Sequence, residues 1–215
     1  MSSSVNVFVS INSFALRLVI LKLTSYFYFC MSGVLEKAIA KRYVFKAYNS
    51  RFPNLFSSQK RLISTALKKI PNKEIHHIGS TSVLGLGGKG ILDLIVIVPK
   101  KYFSKAKKLL HEAGYKYDHS MGKRHFHKKY YVDYTGSAKL VHLHLTFHGS
   151  GEKEVALAFK EYLIAHPKVK KKYESIKRTA SKKYSRDGKK YVKYKLHFVE
   201  STLKKALKWY KKLNN

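Results

Sequence analysis

The chain of 215 residues carries 44 Lys and Arg against 12 Asp and Glu, a formal net charge of +32. Hydrophobic residues at 45% and aromatics at 13% exclude a disordered basic tail, and 4 Pro with 12 Gly exclude collagen-like and low-complexity classes. A single cysteine, Cys30, excludes a disulfide framework and a cysteine-ligated zinc site. Packing alone then holds the interior, as expected of a reducing, cytoplasmic location. The charge creates a field that concentrates polyanions, whether nucleic acid, nucleotides or an anionic membrane surface. A lysine excess that serves solubility is the equally weighted alternative.

Positions 1 to 30 differ from the rest of the chain: they hold Arg17 and Lys22, no acidic residue, and runs such as Leu18-Val19-Ile20-Leu21. Both charges would lie near the middle of a membrane span, where each costs about 2.5–3.5 kcal/mol. A signal peptide would place its charges before the apolar run. The expectation is an extension outside the folded domain, with Met31 as the natural start, a domain over 31 to 215, and no stable membrane insertion.

From Met31 onward the pattern is globular. Leu62, Ile63, Ala66, Leu67 and Ile70 recur at helical spacing and predict a helix over about 57–69, closed by Pro71-Asn72. A short strand is predicted at 74–78. Residues 91–98 form a run of β-branched and Leu residues interrupted only by Asp93, a strand buried on both faces. Helical period returns over 103–113, with Gly114 at the C′ position. Residues 139–148 alternate, with Val141, Leu143 and Leu145 on one face and His142, His144 and Thr146 on the other. Helices come next at 152–165, stopped by Pro167, then at 168–182 and 189–212. This order predicts an α+β fold: a small mixed β-sheet with flanking helices and a helical C-terminal part. The C-terminal part is the most basic, with 18 Lys and Arg against Glu174, Asp187 and Glu200 from position 168 onward.

The stretch from His76 to Asp93 carries the chemistry. A Gly-Ser pair at a strand end, Gly79-Ser80, lets the backbone approach a ligand and offers N–H groups and a hydroxyl to a phosphate. Gly85, Gly87, Gly88 and Gly90 keep the following loop clear of side chains. Asp93 is a lone charge in a buried strand, which is expensive unless it is paired, hydrogen-bonded or holding a metal. A plain turn, with Asp93 capping a neighbouring loop, is the competing reading.

The stretch His77-Ile78-Gly79-Ser80-Thr81-Ser82-Val83-Leu84-Gly85-Leu86, followed by Lys89 and Leu92-Asp93-Leu94, resembles the signature of the GrpB-like family. That family is a branch of the nucleotidyltransferase superfamily, with a polymerase-β-like fold. Three further segments are similar to family motifs: Tyr48 to Phe56, His142-Leu143-His144-Leu145, and Phe159 to Pro167. The likeness runs from about Tyr43 to the C-terminus.

The resemblance implies a sheet of nucleotidyltransferase type and a nucleotide phosphate bound at Gly79, Ser80 and Thr81. Lys89, Arg124 and Lys129 are candidate phosphate partners. In the superfamily, paired carboxylates hold two divalent metals that clamp an in-line displacement. Here Asp93 is present, but Ile95 stands at the second position, on the same face by alternation. His142 and His144 share one strand face, so both imidazoles could join Asp93 around one divalent ion, Mg or Mn. His144 with Asp93 is also the candidate catalytic pair. A solvent-facing or hydrogen-bonded histidine pair is the alternative, and His125 and His127 read as incidental.

Two functions are compatible with these features. The favoured one is nucleotidyl transfer from a nucleoside triphosphate or other nucleotide. The alternative is a non-catalytic nucleotide- or RNA-binding module, suggested by Tyr184, Tyr191 and Tyr194 among lysines. A chain beginning at Met31 is expected to fold and to keep any ligand binding of the full chain. Thermal melts of both forms check this: aggregation, or a much lower melting temperature, would make residues 1–30 a structural element.

Overall fold

A computed structural model describes residues 43–117, 125–132 and 138–214. The expectations for residues 1–30 and for Arg124 lie outside the described residues. The helix α1 (Phe52–Ala66) leads into strand β1 (Glu74–Ile78) and a 3-10 turn, Ser80–Ser82. Next in the chain are strand β2 (Leu92–Val98), helix α2 (Phe103–Glu112) and strands β3 (Tyr115–Tyr117), β4 (His125–Val132) and β5 (Ala138–Phe147). Helices α3 (Glu152–Ala165), α4 (Pro167–Lys183) and α5 (Gly188–Leu213) complete the chain. The α+β expectation holds.

The five strands form one mixed sheet in the order β1-β2-β5-β4-β3. β2 and β5 pair in parallel, and the other neighbours are antiparallel. β2 and β5 are therefore central, which is why β2 is apolar on both faces. On one face Leu92, Leu94, Val96, Val98, Val141, Leu143 and Leu145 pack against Phe52, Leu55 and Ile63 of α1 and Ala106 and Leu110 of α2. On the other, Ile78, Ile95 and Ile97 meet Ala156 and Leu157 of α3. Behind α3, Phe159 and Leu163 join Tyr173, Val199 and Leu203 of α4 and α5, together with Val83 and Leu86 of the Gly-rich loop.

Local signals account for most boundaries. Pro53 lies in the first turn of α1, where its missing N–H costs nothing, so the helix begins before the predicted residue 57 and ends at Ala66. Gly151, in the left-handed region at φ 77°, opens α3, and Glu152 and Glu154 sit at its positive end. Pro167 ends α3 and begins α4, because a proline is tolerated in a first turn but not in a helix interior. The Asp187 carboxylate caps α5 by accepting from Lys190 N–H at 2.9 Å. Strands β3 and β4 were not expected. No helix among the described residues is long and apolar enough to cross a membrane.

His77 fastens β1 to α1: its ring stacks on Phe56 with centroids 4.9 Å apart, and Nε2 lies 2.9 Å from Thr81 Oγ1. Burial pushes its pKa down to about 4, against the attraction of Asp93 and with help from the Lys160 charge. The folded protein holds His77 neutral, whereas the unfolded chain takes up a proton once pH falls below about 6.5. Stability is thus lost as pH falls from 6.5 toward 4. His77→Gln should remove about 2–3 kcal/mol of the loss between pH 7 and 4.5, as read from urea unfolding at both pH values.

Candidate active site

The parallel register sets Asp93 opposite His142 and Ile95 opposite His144. The three polar groups share the sheet face that α3 covers. Asp93 Oδ1 lies 3.2 Å from His142 Nδ1 and 4.0 Å from His144 Nε2. The two imidazoles are buried, while 23% of the Asp93 side chain remains exposed to the cleft. Burial opposes the carboxylate's charge, but the His142 and His144 hydrogen bonds and charges outweigh it and hold Asp93 below the usual carboxylate range. Burial pushes the His142 pKa down, against the hydrogen bond and charge of Asp93.

The Gly79-Ser80 turn sits over this carboxylate. Gly79 has φ 70°, and a Cβ on it would lie 2.9 Å from both Cβ and Cγ of Asp93 and closer still to Oδ2. The turn is braced by Ser82, whose Oγ donates to Gly79 O at 2.7 Å. Gly88 is also pressed: a Cβ there would lie 2.7 Å from Ser80 Oγ. The loop is pinned from outside, because Lys46 and Gly88 exchange backbone hydrogen bonds of 2.7 and 2.9 Å.

The cleft of about 100 Å³ between the sheet face and the C-terminal helices is lined by Gly79, Ser80, Asp93, His142, His144 and the lysines Lys89, Lys160, Lys177 and Lys195. Phe159, Tyr173 and Tyr191 supply aromatic walls. Lys177 and Lys195 are almost fully buried. Lys177 Nζ donates to Gly87 O and lies 4.7 Å from the Tyr173 ring centroid. Lys89 Nζ lies 4.4 Å from the Tyr43 ring and 5.3 Å from that of Tyr191, with Lys195 Nζ 5.6 Å from the latter. Burial, then the neighbouring Lys195 charge, pushes the Lys177 pKa down to about 7. Asp93 is the one carboxylate lining the cleft among the described residues.

The structure thus brings together Gly79, Ser80, Lys89, Asp93, His142 and His144. Thr81 is placed apart: it is 2% exposed, its hydroxyl engages His77, and it does not line the cleft. Lys160, Lys177, Lys195 and Tyr173 join the site without having been expected, and Tyr191, read from the sequence as a candidate for base stacking, lines it too. A signal for two of them was present, since Lys177 falls on the buried stripe of Tyr173 and Ala180, and Lys195 on that of Tyr191 and Val199. A charge on the buried side of an amphipathic helix needs a partner or a ligand.

The residues do not fit a two-metal clamp. Ile95, 0% exposed, occupies the second carboxylate position. Asp93 and the two imidazoles are turned on one another, and no group of three His, Cys, Asp or Glu among the described residues has the arrangement of a metal cage.

A mixed-sheet α+β domain with a Gly-Ser turn over a strand carboxylate, facing a lysine-lined cleft, is the class of protein defined here. Residues 43–205 match the family described as "GrpB protein", and the chain belongs to that family. It is 30% identical to the Glutamate-rich protein GrpB of Alkalihalophilus pseudofirmus, over 73% of this chain and 91% of the relative. It is 28% identical to the UPF0157 protein YqkA of Bacillus subtilis, over 78% of this chain but 48% of the relative, and so spans about half of that protein. The crystal structure of the conserved protein GrpB from Enterococcus faecalis superposes with a TM-score of 0.65 at 26% identity, covering 78% of this chain and 99% of that one.

The packing of Gly79 on Asp93 makes a testable demand. Gly79→Ala combines a left-handed φ with a clash, and should cost at least about 2 kcal/mol. Gly114→Ala, at φ 89° with nothing within 4 Å of the added carbon, should cost about 1 kcal/mol from backbone strain alone. Denaturant midpoints at unchanged slope measure both, and equal costs would refute the close contact.

Proposed function

We propose that this protein binds a nucleoside triphosphate, or another nucleotide, with its phosphates among the cleft lysines and beside the Gly79-Ser80 turn. The observation that carries this reading is the convergence of Lys89, Lys160, Lys177 and Lys195 on a cleft containing one carboxylate. Such a cleft has less negative than positive charge, and a polyphosphate supplies the difference where low dielectric makes each contact strong. An anion beside Lys177 would restore the full ammonium charge that burial and Lys195 oppose. The wall of Val155, Phe159 and Tyr173 offers apolar surface to the rest of the ligand.

A second reading, nucleotidyl transfer, is favoured by the placement of His144 beside the Asp93 carboxylate on the cleft wall. An acceptor hydroxyl would attack the α-phosphorus, the bond to the pyrophosphate oxygen would break, and His144 would take the hydroxyl proton with Asp93 stabilising the imidazolium. A single Mg²⁺ or Mn²⁺ arriving on the phosphates would meet Asp93 and neutralise charge there.

Titration of the full chain with ATP, CTP, GTP and UTP in Mg²⁺ should show saturable binding. Lys177→Gln should weaken it about tenfold or more, and the exposed Lys205→Gln should not. No binding of any nucleotide, or equal binding by folded Lys177→Gln, refutes the cleft reading. With nucleotide labelled at the α-phosphate, transfer lost in Asp93→Asn while binding persists supports catalysis; binding without transfer leaves a non-catalytic module.

A further inference from the structure

The surface of the C-terminal helices has a second feature, outside the cleft. Of the 18 Lys and Arg from position 168 onward, 15 are exposed. The acidic groups near them are few and engaged: Glu174 pairs with Arg178 at 3.1 Å, and Asp187 caps α5 and lies 3.3 Å from Lys190. The density is greatest where α4 turns into α5, with Lys182, Lys183, Arg186, Lys189, Lys190 and Lys193 all exposed within twelve positions.

At the centre of this elbow lie two tyrosines. Tyr194 is 39% exposed, its ring centroid 5.8 Å from that of Tyr184 at an interplanar angle of 56°. Lys183 Nζ sits 5.6 Å from the Tyr194 ring. Tyr184 packs on the buried group of Tyr43, Ala180, Tyr191 and Val192, whereas Tyr194 belongs to no buried cluster among the described residues. Tyr184 thus anchors Tyr194 on the buried group that contains Tyr191, a residue of the cleft wall.

We propose that this α4–α5 elbow is a docking platform for a single-stranded nucleic acid. The lysines neutralise successive phosphates, and the open Tyr194 ring accepts an unpaired base, a stacking that a duplex cannot offer. An anionic membrane fits the face less well, because adsorption needs an apolar stripe to insert. The apolar stripes of α4 and α5 are spent on the core, and the large hydrophobic residues left exposed on them are Tyr194 and Leu213, far apart along α5.

Fluorescence anisotropy of the full chain with labelled RNA and DNA strands of about 12 nucleotides tests this. Either strand should bind more tightly than the corresponding duplex, with affinity falling as salt rises. Lys183→Gln and Lys193→Gln should each reduce the magnitude of the log–log salt slope by about 0.7. Tyr194→Ala, with an unchanged circular dichroism spectrum, should weaken binding about 5- to 100-fold, and Tyr194→Phe should restore it. Duplex binding as tight as that of the strand, or an unaltered affinity for Tyr194→Ala, overturns the proposal. So does adsorption to phosphatidylserine vesicles without strand binding. None of these substitutions touches the cleft, so loss of strand binding with nucleotide binding intact removes this inference alone, and the converse removes only the cleft reading.

Discussion

The parallel pairing of β2 with β5 holds the site together, because it sets Asp93 across from His142 and both on the sheet face that lines the cleft. Side chains alternate along a strand, so a slip of β2 by one residue would drive the carboxylate into the apolar layer under α1 and α2. An ionised carboxylate there would meet Leu143, Leu145 and the apolar faces of α1 and α2 without a partner, at a cost of several kcal/mol. The apolar rows of both strands select the same register independently. Hydrophobic burial on one face thus aligns polar chemistry on the other.

From that alignment the rest of the cleft is built. Asp93 fixes how closely β1 can end over it, and only a glycine at position 79 lets the turn pass. The Gly-rich loop is then held from two sides: the strand-like segment at Lys46 pairs with Gly88, and the Lys177 ammonium reaches Gly87 O. Lysine burial is costly, and the carbonyl and the tyrosine rings offset part of that cost. What remains is a cationic pocket. Its charge does not serve stability, since lysines buried near one another repel.

Surface charge and cleft chemistry are physically separate in this protein. Of the cleft lysines, Lys89 lies on the Gly-rich loop and Lys160, Lys177 and Lys195 on the inner faces of α3, α4 and α5, whereas the great majority of C-terminal basic residues project into solvent, where salt screens them. A family relative bears the name "Glutamate-rich", yet this chain has 12 Asp and Glu in 215 residues. The basic field is therefore a property to explain from this chain's own elbow and helices.

Much of the fold was legible in the sequence because its signals are local. Periodicity marked β2, β5, α2 and the three C-terminal helices, and the alternation of 139–148 correctly separated His142 and His144 from Val141 and Leu143. The start of α1 was missed because Pro53 signals a first turn only when read together with the residues after it. Strands β3 and β4 were missed because segments rich in Tyr, His and Lys lack an apolar run. The motif residues Gly79, Ser80 and Asp93 could be picked out in the sequence, for a turn and a lone buried charge leave a mark within a few positions. Whether Thr81 faces the cleft or His77, whether Ile95 leaves room for a second ligand, and whether Lys177 and Lys195 reach Asp93's pocket depend on helices far along the chain closing over the sheet. Tertiary structure alone decided those points, because a side chain's ligands are set by distances between elements, and a linear pattern encodes only the face that each element presents.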